Sequence, residues 1–323
     1  MDTLVEIKAL TKRLTEVHKT SINTGVIVHV ERAEYHYFSG KKNKDLQSFT
    51  DAIYRCNQAY EGILRDAYFI LSGTDSSKLS TNDIEQYFEN EKILNPRVRA
   101  AFTNYRKEWR NPSTHDHKLF FDDEETYMAI LSVESFVYVI LKQILQSETY
   151  RITRFDLLRL KDTVKTLKPY TEVTIENIIE SLLSFHKYIN DERISLEAGG
   201  MLVIALKSYF NIIFPDANAI TYLEKEIGYK LYSDLTIKSN NSIVCEIDVK
   251  AQFEILFNNS GNDRLKDYLA NKKGVIGIQY YYSKLQEDEY TMWQRNDVAN
   301  NVIYVIYPRN KEKKIRLTPA STL

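Results

Sequence analysis

In the run YRKEWRNPSTHDHK, Arg110, Asn111 and His115 combine the side-chain types that chemistry on a phosphodiester needs. An imidazole titrates near neutral pH and can move a proton. A guanidinium keeps its charge and binds phosphate oxygens through two parallel hydrogen bonds. Together they could cleave RNA with no metal ion. The imidazole would take the 2′-hydroxyl proton so that the oxygen attacks the adjacent phosphorus, and the guanidinium would bind the non-bridging oxygens where charge builds. A 2′-hydroxyl nucleophile confines this chemistry to RNA. The plainer alternative is a helix cap and a loop hydrogen bond.

Spacing alone does not single out this copy. Arg13 and His18, in KALTKRLTEVHK, repeat it. There Leu14 and Val17 continue an apolar stripe, which predicts a continuous amphipathic helix with both polar side chains on its solvated side. In the later copy Asn111 follows the arginine directly, and Pro112 is expected to force the chain off helical geometry before the histidine. Asp116 and His117 are expected to stand outside the chemistry. Arg55, Asn57 and Glu61 share one predicted helix at spacings of two and four. They could support the site from within, or Arg55 and Glu61 could form a surface ion pair.

A second constellation lies in SIVCEIDVKAQF. Alternation along a strand sends Glu246, Asp248, Lys250 and Gln252 one way and Cys245, Ile247, Val249 and Ala251 the other. Asp234 closes a strand-like run upstream. An acid, then a strand carrying acid-x-lysine, then helix and strand, is the pattern that could do chemistry here. The alternative is a half-exposed strand with its polar residues towards water.

These residues need a scaffold, and 323 residues suffice for two ordinary domains. The formal net charge of −1 gives no general basic field, which argues against a non-specific nucleic-acid coat but not against a local groove. Cys56 and Cys245 are the only cysteines, so neither a disulfide framework nor a cysteine zinc site is expected. MDTLVEIKAL lacks the pattern of a secretory signal, and SFVYVILKQIL and GGMLVIAL are too short to span a bilayer, so a soluble cytoplasmic chain is expected.

Helical periodicity runs over Thr3–Lys19, Leu46–Leu71 and Ile84–Trp109, with Ser80 or Thr81 as an N-cap, and GVIVHVERAEYHYF reads as helix rather than strand. A last helix of this half starts at Asp122 or Asp123 and ends at Leu145, before an irregular boundary around Ser147–Thr153. Helices follow over Phe155–Leu167, Thr174–Asn190 and Leu196–Phe210. After Pro215 the period changes to two, and KLYSDLTI, SIVCEIDVKAQF, GVIGIQYYY and NVIYVIYP read as strands, with a helical DRLKDYLANK between the second and third. The fold class is multidomain: an all-α bundle over 1–150, a helical connector over 151–195 and a small α/β sandwich over 196–323.

With these residues in view, AIYRCNQAYEG, then NYRKEWRNPSTHDHK, then the acid-rich start of a helix, resemble the HEPN family of prokaryotic helical ribonucleases. The resemblance implies a homodimer in which two RNxxxH motifs meet across a cleft and cut RNA without a metal, with Arg110 and His115 as the catalytic pair and Asn111 positioning them. The C-terminal region is similar to the PD-(D/E)xK restriction-endonuclease-like family. That implies Asp234 and Asp248 on Mg2+, Lys250 in catalysis, Glu246 and Gln252 completing the shell, and a weaker contribution from Glu197. No proline precedes Asp234, where the family loosely keeps one. Lys311, Lys313, Lys314 and Arg316 could touch a phosphate backbone. The two resemblances imply an effector of antiviral defence, toxic to its host and held inactive until infection. Two alternatives stay open: a silent helical dimerisation or sensing module beside a Mg2+-dependent DNase, or a regulator that binds nucleic acid or a partner without cutting.

Overall fold

The protein is described from a computed structural model, covering all residues except 1, 17, 92, 94–95, 116–119, 165–166, 168, 190–198, 222–232, 251–264, 266–268, 270–273, 284–288, 297–300 and 310–323. Within its helices and strands, the side chains of 96–98, 101, 114–115, 161–164, 199, 221 and 295–296 also stand outside the description. The chain divides into two compact units, 1–148 and 149–323.

The first unit is helical. Its elements are α1 (Thr3–Glu16), α2 (Thr24–Asn43), α3 (Leu46–Ser72), α4 (Thr81–Asn90), α5 (Pro96–Tyr105), a π-helical segment (Arg106–Arg110), α6 (Asn111–His115) and the first part of α7 (Asp123–Val164). Side-chain caps set the helix starts. Asp45 accepts from the Gln47 N–H, and Ser80 and Asp83 close a reciprocal capping box on α4. Lys44 in left-handed geometry turns α2 into α3, which packs along it. Phe136 of α7 meets the rings of Tyr60 on α3 at 4.5 Å and Phe102 on α5 at 4.2 Å, and all three are buried.

Three expectations for this unit change. The helix predicted over Ile84–Trp109 is two, because Pro96 opens a new helix at a first-turn position where its missing N–H costs nothing. The predicted α1 does not reach His18. It ends at Glu16, Lys19 turns left-handed (φ 56°), the Thr20 N–H bonds back to the Leu14 carbonyl, and His18 is buried rather than solvated. The irregular boundary at Ser147–Thr153 is continuous helix, since α7 runs on to Val164. Its most apolar 18-residue window is long and apolar enough to cross a membrane by composition, unlike the shorter runs read from sequence, yet 56% of that window is buried inside the protein, as in a core helix.

The second unit is a mixed six-stranded sheet with helices: α8 (Ile175–Phe185), a 3-10 turn (His186–Tyr188), α9 (Gly199–Ile213), β1 (Ala217–Thr221), β2 (Leu235–Ser239), β3 (Ser242–Lys250), β4 (Ile276–Tyr281), β5 (Tyr290–Asn296) and β6 (Val302–Pro308). The strand order is β1-β2-β3-β4-β6-β5, parallel at β3–β4 and β4–β6 and antiparallel elsewhere. Of the region expected as a separate connector, α8 packs on β5 and β6 and belongs to this unit. The sheet has two strands beyond the four expected. Both β1 and β5 are edge strands, where one partner is missing and the apolar alternation is weakest.

Both faces of the sheet are covered. On one, Phe185 and Tyr209 pack towards Tyr280, and α9 lies against β1 and β3. On the other, helical Leu265 and Leu269 pack on Ile303, Val305 and Tyr307. Gly277 sits under Leu269, where a Cβ would collide with the leucine side chain. The central strand β3 is therefore buried on both faces over residues 245–249.

One buried acid of the bundle has a measurable consequence. Glu134 on α7 is 5% exposed, and burial, then hydrogen bonding to Glu34 of α2, push its carboxyl from 4.5 up to about 8. The folded chain then holds a proton that the unfolded chain has already lost, so this group's contribution to stability declines as pH rises from about 4.5 to about 8. Glu134→Gln should flatten that decline and raise the urea midpoint at the alkaline end. An unchanged pH slope in the variant would show that Glu34 and Glu134 do not share a proton.

Candidate functional site

Pro112 does not break the helix ahead of His115, as its ring and missing N–H predicted. A proline within a helix removes one backbone bond and clashes with the carbonyl four residues back, here Glu108. That carbonyl lies in the π-helical segment, whose wider turn carries the Asn111 N–H to the Arg106 carbonyl, five residues back. The chain therefore passes Pro112 in helical form, and α6 continues to His115. Arg110 ends the wide turn and Asn111 begins α6, so the motif sits where one helical geometry changes to another.

Polar side chains of α3 hold this junction. Glu61 Oε1 accepts from Arg110 Nε at 3.0 Å and Nη2 at 2.7 Å, and Arg110 Nη1 donates to Asn111 Oδ1 at 3.2 Å. The Arg110 side chain stays 24% exposed. One turn before Glu61, buried Asn57 donates to Ser113 Oγ at 2.8 Å and accepts from the Tyr105 hydroxyl at 2.7 Å. Ser113 Oγ in turn donates to the Arg110 carbonyl at 3.0 Å. Asn57 thus spans the π-helical segment, tying the residue before it to the third residue after it. One turn before Arg110, Arg106 lies against Glu85 at 3.2 Å, whose other oxygen accepts from Tyr60 at 2.7 Å. Burial raises the Glu85 carboxyl, against the lowering by Tyr60, Arg106 and Arg110.

Asn57 and Glu61 therefore reach the motif, while Arg55 does not pair with Glu61. Its Nη1 donates to Gln58 Oε1 at 3.1 Å and stands 3.5 Å from His29 Nδ1. Sequence reading missed Tyr105, Ser113 and Glu85 as parts of the network. The spacing of Asn57 and Glu61 could have pointed to a polar helix edge, but its partners are distant in sequence. The side chains of His115 and Thr114, with all of Asp116 and His117, lie outside the described residues.

In the second unit, Asp234 stands just ahead of β2 and Asp248 and Lys250 end β3. Asp234 Oδ2 accepts from the Val249 N–H at 2.7 Å, and the Asp234 N–H donates to the Ile247 carbonyl at 2.9 Å, so its loop is pinned to β3. Lys250 Nζ lies 2.9 and 2.7 Å from the two Asp248 oxygens. Asp248 is 4% exposed, and burial first, with Asp234 adding and Lys250 opposing, raises its carboxyl to about 6. Glu246 shares that face but turns to Ser233 and Thr236, whose hydroxyls both donate to its Oε2. Neither Glu246 nor Asp248 faces water, unlike the polar edge of a half-exposed strand. Parallel register sets Gln279 of β4 beside Asp248, also buried.

The donors present suit a hard cation: magnesium takes one or two carboxylates and completes its shell with water or phosphate oxygen. Asp234 and Asp248 offer such a pair, and their mutual repulsion is what a cation would relieve. Among the described residues no group of three or more His, Cys, Asp or Glu side chains gathers as a metal site. Glu197, Gln252, Lys311, Lys313, Lys314 and Arg316 fall outside the described residues. Compared with protein-family models, curated proteins and solved structures, the chain matches none.

Asn57→Ala would leave the Tyr105 hydroxyl and Ser113 Oγ without their buried partner, at a cost of about 1–3 kcal/mol in unfolding free energy. Urea denaturation of the purified chain measures it. A loss well under that range would mean that the π-helical segment stands without α3.

Proposed function

We propose that the chain is a cytoplasmic nuclease effector of prokaryotic antiviral defence, a homodimer whose Arg110, Asn111 and His115 form a metal-independent endoribonuclease site. The observation that carries this reading is the fixing of Arg110: a partly exposed guanidinium whose plane is set by Glu61 on one edge and Asn111 on another. A preset cation aimed at developing phosphate charge stabilises the transition state with no reorganisation. His115 follows at the end of α6, the short helix that Asn111 begins, and supplies the proton-transfer group.

A neutral His115 takes the 2′-hydroxyl proton, the 2′-oxygen bonds to phosphorus, and Arg110 binds the non-bridging oxygens. The bond from phosphorus to the 5′-oxygen breaks, and that oxygen receives a proton from the imidazolium of the second copy's motif. Products are a 2′,3′-cyclic phosphate and a 5′-hydroxyl. A twofold dimer thereby supplies a base, an acid and an anion clamp.

A second reading rests on Asp248, a carboxylate buried beside both Asp234 and Lys250. In it Asp234 and Asp248 hold Mg2+, which would polarise the phosphate and lower the pKa of a bound water. Lys250 orients the nucleophile, and DNA is the substrate.

Arg110→Ala and His115→Ala should each abolish cleavage of single-stranded RNA in EDTA while leaving the circular dichroism spectrum and dimer mass unchanged. Wild-type rates in both variants would remove the assignment. For the second site, calorimetric Mg2+ affinity should rise as pH is raised through about 6, where Asp248 ionises, and vanish in Asp248→Asn. Affinity independent of that carboxylate would exclude it as a ligand.

A further inference from the structure

We infer that Tyr54 and Arg55 on α3 form a single-stranded RNA subsite beside the Arg110 motif, with Tyr54 as a base-stacking platform and Arg55 as a phosphate clamp. The inference rests on the ribonuclease reading and adds where the rest of the strand lies.

Tyr54 projects from the outward side of α3. Its residue is 46% exposed, yet the side chain is held at its tip, where the hydroxyl donates to the Ser113 carbonyl at 3.1 Å. An aromatic ring that is both exposed and pinned presents a face without losing rotamer freedom on binding. Stacking on such a face accepts any base. The tether joins it to α6, the helix that carries Asn111 and His115. Tyr54 and Glu61 lie seven residues apart on the same side of α3, about 10 Å along the axis, so the ring stands roughly one or two nucleotides from the guanidinium that Glu61 holds.

Arg55 is the next residue, half-buried towards α2. Its Nη1 alone makes both described contacts, to Gln58 Oε1 and to His29 Nδ1. Both partners are neutral acceptors. Burial first and then Arg55 itself lower the His29 imidazole from its ordinary value, which favours the uncharged form that can accept. No carboxylate pairs with Arg55 among the described residues, and its Nε–Nη2 edge has no partner there. That edge is the planar fork that takes two oxygens of a phosphate. His29 and Gln58 fix the plane of the guanidinium without neutralising it. By contrast, Arg110 already has this edge on Glu61.

The test uses the full chain carrying His115→Ala, so that RNA binds without being cut, and a fluorescein-labelled single-stranded oligoribonucleotide followed by anisotropy. Tyr54→Phe and Tyr54→Leu both lose the hydroxyl contact to Ser113, so the difference between them reads the aromatic face alone. Tyr54→Phe should bind within about twofold of the parent and Tyr54→Leu about tenfold more weakly. Arg55→Gln should weaken binding and reduce the slope of log Kd against log salt by about one. If Tyr54→Leu and Arg55→Gln bind like the parent while the His115 chain cleaves RNA, the subsite is wrong and the ribonuclease reading stands. A wild-type chain that neither cuts nor binds RNA overturns both.

Discussion

How a helix accommodates Pro112 is the constraint on which the candidate site depends. A proline inside regular α-helix would strand the carbonyls of the preceding turn and press its ring into one of them. Here the preceding turn is widened, and the Asn111 N–H reaches the Arg106 carbonyl. A π-helical turn packs less well than α-helix and persists where surrounding contacts over-determine it. Those contacts come from α3: Asn57 grips Tyr105 and Ser113 on either side of the wide turn, and Glu61 takes Arg110 at its end. Proline, π-helical segment and polar edge of α3 thus form one unit. Loss of any member exposes a cost that the other two presently offset.

The same logic of satisfied burial governs the second unit. Glu246, fully buried on the central strand, accepts two hydroxyls, and Asp248 sits on the Lys250 ammonium. A buried ion pair is a poor stabiliser, because desolvating two charges consumes most of their attraction. Asp248, Lys250 and the pinned Asp234 thus stand together at one end of a buried strand, where desolvation offsets most of what their pairing contributes.

What the sequence discloses follows from how local each cause is. Helix periodicity and capping are local, so α2, α3 and the Ser80 cap were legible, as were the strong central strands β3, β4 and β6. Edge strands carry half the apolar signal, so β1 and β5 were not. The end of α1 turned on one left-handed residue, Lys19, and that moved His18 from an expected surface to the interior. At the candidate site, Arg110, Asn111 and Asn57 could be picked out by type and spacing. The π-helical segment could not, since Pro112 favours a break by any local rule and only contacts from residues about fifty positions earlier reverse it.

Two arginines of the bundle, Arg110 and Arg55, illustrate a division between holding and binding. A guanidinium that must be placed to a fraction of an ångström gains from a carboxylate on its fork edge, which fixes the plane but cancels much of the field. Arg110 with Glu61 has that form. A guanidinium that must attract an anion does better oriented by neutral acceptors, which leave its charge intact, and Arg55 between His29 and Gln58 has that form. The two differ in how steeply they respond to salt: screening acts on the uncompensated charge and little on the compensated one. Tyr54, the neighbour of Arg55 on α3, is tethered to the Ser113 carbonyl of α6.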